Sequence, residues 1–150
     1  FEKRVSDIFI REGILKLGDL SEENIAEVFG INYRRGDFPT FIFRNYCIRL
    51  LRIHKEGSAK KQREIFFHEL CHLLVHYGNQ LDMPDMFRRY QEWDAKRFVL
   101  YASIPYHMLK EVNPYGSIFE MSETFMIPKS VCIKRMMRIK NQLLDRRFIG

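Results

Sequence analysis

At 150 residues, 46% of them hydrophobic and 14% aromatic, the chain has enough apolar mass for one domain with a real core, and the size prior favours one domain (1–150) over two. No apolar run approaches the roughly eighteen residues of a membrane-spanning helix, and FEKRVSDIFIREGIL lacks the features of a secretory leader, so a cytoplasmic protein is expected. The net charge of +6 is modest, and Cys47, Cys71 and Cys132, scattered and without a C-x-x-C, read as core residues rather than a disulfide framework.

Val5, Ile8, Phe9 and Leu15 are spaced for one apolar face of an opening helix. Ser21-Glu22-Glu23 caps a short second helix that turns Ile25, Ala26, Val28 and Phe29 inward and stops at Gly30. The runs 31–35, 40–43 and 46–53 are rich in β-branched and aromatic residues, with turns at Gly36-Asp37 and Arg44-Asn45. They predict a small antiparallel sheet. His54, just beyond, reads as a lone exposed histidine.

The next stretch, KKQREIFFHELCHLLVHYG from Lys60 to Gly78, organises the rest. Ser58 suits its N-cap and Gly78-Asn79 its stop, and its apolar residues suit a helix buried in a domain. Within it lies His68-Glu69-Leu70-Cys71-His72, the H-E-x-x-H pattern. Positions i and i+4 share one helical face, so His68 and His72 can bind one ion, while Glu69 can take a proton from an activated water. Zinc suits two imidazoles, and manganese is an alternative. Two imidazoles and a carboxylate on a largely apolar helix are costly to bury without such a purpose.

Pro84-Asp85 opens a long helix that runs to about Ser103 and is stopped by Pro105. On it Glu92 shares a face with Ala95, Val99 and Ala102, whose small size lets two helices approach closely and bring Glu92 to the ion. Two histidines, one glutamate and an open fourth position form a catalytic rather than a structural arrangement. Asp94 is the competing carboxylate but points off that face. His76, a turn past His72, lies too far along the helix to join the ligands and reads as a residue behind them or at the surface. Gly78 stands where a metzincin would carry its third histidine.

After a turn at residues 112–116, runs 117–124 and 130–147 read as two helices joined at Met126-Ile127-Pro128. Ile133, Met136, Met137, Leu143 and Leu144 form an apolar stripe on the last. Residues 129–150 carry seven Lys/Arg and one Asp. Such a helix can contact nucleic acid or an acidic partner, although a solvated face is the plainer reading.

HELCHLLVH resembles the H-E-L-G-H-x-L-x-H stretch of the ImmA/IrrE-like (M78) metallopeptidases. Glu92-Trp93-Asp94-Ala95-Lys96-Arg97-Phe98 followed by Ile104-Pro105 is similar to that family's E-x-x-A-N-x-F-A…M-P segment. IAEVFGINYRRGDFP resembles its first helix and strand, and FEMSETFMIPKSVCIKRM its closing helix pair, so the likeness runs from about Ser21 to Leu144. Two departures stand out: Lys96 replaces a usual Asn or Asp, and Cys71 a usual Gly. The resemblance implies an α+β, zincin-like domain with a small sheet packed on the H-E-x-x-H helix. It also implies His68, His72 and Glu92 as ligands, Glu69 as base, and a role in a bacterial or phage regulatory cassette as an anti-repressor that cleaves or inactivates a cognate helix-turn-helix repressor.

The expected reaction is therefore zinc-assisted peptide-bond hydrolysis with Glu69 shuttling the proton. Tyr77, Tyr101, Tyr106 and His107 are the candidate donors to the oxyanion, with His76 a candidate support for the ligands. The rival is a regulatory binding module that grips a repressor or DNA, or a toxin of a two-gene pair, in which the metal only holds the fold.

Overall fold

A computed structural model describes residues 1–76, 83–112 and 116–148. Among the described residues the elements run α1 (Glu2–Arg11), α2 (Glu22–Val28), β1 (Asn32–Gly36), β2 (Phe41–Arg44), β3 (Arg49–His54), α3 (Ala59–Leu74), α4 (Asp85–Ser103), α5 (Ile118–Phe125) and α6 (Lys129–Phe148). Short 3-10 turns at Leu17–Leu20 and Tyr106–Glu111 join them. This is an α+β fold.

The helix starts follow local chemistry. Ser21 Oγ accepts the amide of Asn24, Ser58 Oγ that of Lys61, and Ser117 forms a reciprocal box with Glu120. Each satisfies donors that a first helical turn leaves open. Gly30 takes positive φ at the end of α2, the conformation a glycine adopts without a Cβ clash.

The sheet is mixed, not antiparallel as its sequence suggests. Its order is β1-β3-β2, with β2 antiparallel and β1 parallel to the central β3. Asn45 closes the β2–β3 turn by accepting the amides of Cys47 and Ile48 on Oδ1, so this hairpin is locally encoded. β3 takes the centre because it buries Leu51 and Ile53 completely. β1 then occupies its remaining edge, Asn32 opposite Leu50 and Gly36 opposite His54. Alternation along a strand states which face is buried and not which neighbour or direction is chosen.

β3 and β2 lie against α3, and α4 packs on α3 more extensively than any other two elements meet. Phe66, Phe67, Leu70 and Phe98 belong to this core and have no exposed surface. Burying each such side chain stabilises the fold by about 1.5–3 kcal/mol. A buried ionic junction ties the layers together: the Glu22 carboxylate accepts from the Tyr33 hydroxyl at 2.5 Å and pairs with Arg35. Arg63 on α3 lies 3.8 Å from it and also donates to the carbonyls of Leu20 and Phe125.

Several expectations shift. Leu15 is exposed while its neighbour Ile14 is buried, because α1 ends at Arg11 and the chain turns. Val28 reaches solvent. Cys47 is exposed on the hairpin turn, whereas Cys71 and Cys132 are core residues, and all three are free. On α6 the buried face is Val131, Cys132, Arg135 and Met136, with Ile133 and Met137 exposed; the side chains of Leu143 and Leu144 lie outside the described residues. α3 ends at Leu74, earlier than its proposed stop, where Arg44 of β2 donates to the carbonyls of Leu73 and His76 at 2.8 Å each. Gly78-Asn79 lies outside the described residues. His54 is bound at both ring nitrogens, to the Phe38 carbonyl at 3.0 Å and to Glu56 at 3.3 Å.

Candidate metal centre

α3 carries His68 and His72 one turn apart, and α4 brings Glu92 against them across the small residues Ala95, Val99 and Ala102, all buried. The two Nε2 atoms and both Glu92 oxygens lie close together. His68 Nε2 is 3.3 Å from His72 Nε2, Glu92 Oε2 is 3.2 Å from His68 Nε2, and Glu92 Oε1 is 3.2 Å from His72 Nε2. Ligands of a tetrahedral ion held at about 2.0–2.1 Å stand roughly 3.3–3.4 Å apart. The set fits such an ion. It also brings two ring nitrogens face to face beside a carboxylate, an arrangement that a shared cation reconciles. Among the described residues, these three are the ones grouped so that one ligand atom from each could hold a metal ion.

The electrostatics favour a lone pair over a proton on His72. Burial, with His68 alongside, pushes His72 down to about 4 against the opposing pull of Glu92. His72 is thus neutral near pH 7. Glu69 is pushed the other way, up to about 7, first by burial and then by the charge of Glu92.

His76 is buried rather than at the surface. Its Nδ1 lies 3.0 Å from Nδ1 of His72, and its Nε2 lies 4.0 Å from both Asp94 Oδ2 and Cys71 Sγ. Burial lowers its pKa, with Asp94 acting against that. Asp94, which the spacing sets aside as a ligand, is also 3.6 Å from Arg97. The spacing turns Asp94 away from the Glu92 face, and nothing in the sequence said that His76 would be there.

The structure does not bring the other candidates together. Tyr77 lies outside the described residues. Tyr101 is buried, and its hydroxyl accepts from Arg138 at 2.9 Å. His107 donates from Nε2 to the Ile14 carbonyl at 2.9 Å and meets Ser6 Oγ through Nδ1 at 2.5 Å, which ties the 3-10 turn to α1. Tyr106 is partly exposed on that same turn.

Beside His68 and Glu69 opens a cleft of about 380 Å³ between α3, α4 and α6. Trp93, Lys96, Lys134 and Arg138 are among its walls, and Tyr101, Tyr106 and His107 are not. Lys96 is exposed in this wall, at the position where the resembling family carries Asn or Asp.

The model of the M78 peptidases, described as the IrrE N-terminal-like domain, matches residues 20–137. The phage-like element PBSX protein XkdA of Bacillus subtilis (strain 168) is 29% identical over 153 aligned residues, covering 99% of this chain and 75% of the relative. The protein YqaB of the same strain is 25% identical over 139, covering 90% and 81%. No solved structure matches significantly.

Proposed function

The chain belongs to the M78 peptidase family of IrrE N-terminal-like (ImmA/IrrE-like) domains, and from that premise we propose a zincin-like, metal-dependent endopeptidase that cleaves a regulatory protein. The observation that carries this reading is the cluster of His68, His72 and Glu92, whose imidazole nitrogens lie 3.3 Å apart and each 3.2 Å from one Glu92 oxygen, with Glu69 next to His68 in sequence. Three protein ligands leave a coordination position open, which a purely structural site would close.

His68 and His72 would hold the ion through Nε2 and Glu92 through its carboxylate. A zinc or manganese ion bound there supplies Lewis acidity, polarising a carbonyl and making water more acidic. Glu69 does the proton work: its carboxylate takes a proton from the attacking water and returns it to the leaving amide nitrogen. Its burial strengthens its hold on that proton between the two transfers. With the lone pair of His72 Nε2 turned to the ion, the ring carries its hydrogen on Nδ1 and donates it to His76, which Asp94 backs in turn. Edge strand β2, lying against α3, offers main-chain groups to an extended peptide.

The substrate proposed is a cognate helix-turn-helix repressor, met in the cytoplasm. The support is family membership together with a relative named for a phage-like element, a setting in which such a repressor is the natural regulatory target. No helix among the described residues is long and apolar enough to cross a membrane.

Elemental analysis of the purified protein tests the site. One metal ion per chain is expected, and much less in Glu92→Ala. Glu69→Gln keeps the ligands and removes the base, so it should retain metal and lose cleavage of the repressor. If Glu69→Gln still relieves repression in cells as the wild type does, the effect is binding and the peptidase reading is wrong.

A further inference from the structure

The cleft beside Glu69 is basic, and we infer that it is a subsite for an acidic side chain of the substrate polypeptide; this rests on the peptidase reading above and names its substrate class. Five cationic side chains line the cleft. Two have carboxylate partners: Lys61 meets Glu64 at 2.8 Å and Arg97 meets Asp94 at 3.6 Å. Lys96, Lys134 and Arg138 have no ion pair among the described residues. Arg138 donates one Nη1 hydrogen bond to the Tyr101 hydroxyl and lies over its ring, which aims the guanidinium without neutralising it.

Arg97 adds to the unmet donor capacity. Its guanidinium sits 4.4 Å over the Trp93 ring, and its Nε is buried with no hydrogen-bond partner among the described residues. Three unpaired like charges around about 380 Å³ repel one another, and an entering carboxylate relieves that repulsion. The geometry selects a side chain over a nucleic-acid backbone. The cleft admits one or two side chains, whereas a duplex needs cations spread along an open surface. Lys134 and Arg138, one turn apart on α6, belong to this wall. Because His68 and Glu69 line the same cleft, the acidic residue lies within about three positions of the scissile bond, at ~3.3 Å per extended residue.

The sole tryptophan of the chain is Trp93, so its fluorescence reports on the cleft. The zinc-loaded Glu69→Gln variant of the whole 150-residue chain is titrated with a short peptide carrying Asp and Glu, and with the same peptide carrying Asn and Gln. Binding of the acidic peptide about tenfold or more tighter is expected. Lys96→Gln with Lys134→Gln, both at exposed positions, should erase the difference while leaving the thermal melt unchanged. Equal affinity for the two peptides overturns the subsite, as does a preference that survives the double substitution. Duplex DNA that binds tighter than the acidic peptide and loses affinity in the same variant would also overturn it, in favour of nucleic acid. Wild-type cleavage of both peptides, read in parallel, separates the two claims. Acid-selective binding without cleavage sinks the peptidase and keeps the subsite, while cleavage without acid selectivity does the reverse.

Discussion

Replacing His76 by Phe keeps a ring of similar volume and deletes the nitrogen that lies 3.0 Å from Nδ1 of His72. Both residues are buried, so water does not take over the lost bond. An ordinary hydrogen bond contributes about 0.5–1.5 kcal/mol, and one to a charged group about 1.5–3 kcal/mol. A ligand imidazole polarised by a cation falls in the second range, so a loss of about 1.5–2.7 kcal/mol is expected. That is a roughly 10–100-fold weaker zinc affinity. The assay is zinc titration against a chelator of known affinity, with a thermal melt of the metal-free variant to show that the fold survives. Unchanged affinity would refute the argument that His76 sets the ring orientation of His72. A loss as large as that of His72→Ala would refute it differently, by making His76 a ligand in its own right.

Glu2→Ala should be among the most destabilising changes at a partly exposed position. It strands the guanidinium of Arg135, which has no exposed surface, pairs with Glu2 at 2.5 Å and, among the described residues, keeps the Ile104 carbonyl as its further acceptor. Breaking a buried pair from one side costs about 3–5 kcal/mol, read as a fall in the urea midpoint; a loss below about 1 kcal/mol would show that the pair is hydrated. Asp19 gives a pH signature. Its carboxylate accepts the amides of Leu15 and Lys16, which hold its pKa below the ordinary 3.8. A folded value below the unfolded one means that the contribution is complete above about pH 4 and is lost as pH falls through the folded value. Asp19→Asn should therefore lower the urea midpoint near pH 7 and converge on the wild type once the pH has fallen below the folded value, and a gap that is constant with pH would contradict this.

The helix of the motif, its Ser58 cap and the shared face of His68 and His72 were legible from spacing alone, because an i,i+4 relation is a property of one helix whatever surrounds it. The long helix opening at Asp85 was equally legible from its Pro84 start. Glu92 was reachable by a weaker argument, from the small residues on its face. Other features were not legible. The Asp94–His76 approach joins two helices across a contact that neither encodes by itself. Tyr101 and His107 have the right chemistry for oxyanion donors, but Arg138, Ser6 and the Ile14 carbonyl engage them elsewhere. The basic last helix carried no mark to show which of its cations would line a cleft.

By itself, then, the sequence determined the kinds of element, the capped ends of the helices and the pair of imidazoles on one face, all consequences of short-range geometry and of hydrogen-bonding groups within a few residues. Tertiary structure alone decided that β1 runs parallel to β3, that each Glu92 oxygen comes within 3.2 Å of one imidazole, and that Lys134 and Arg138 face the cleft beside Glu69. Those outcomes depend on how the whole core packs, where close-packed side chains of fixed volume set the separation of the helices and the order of the strands.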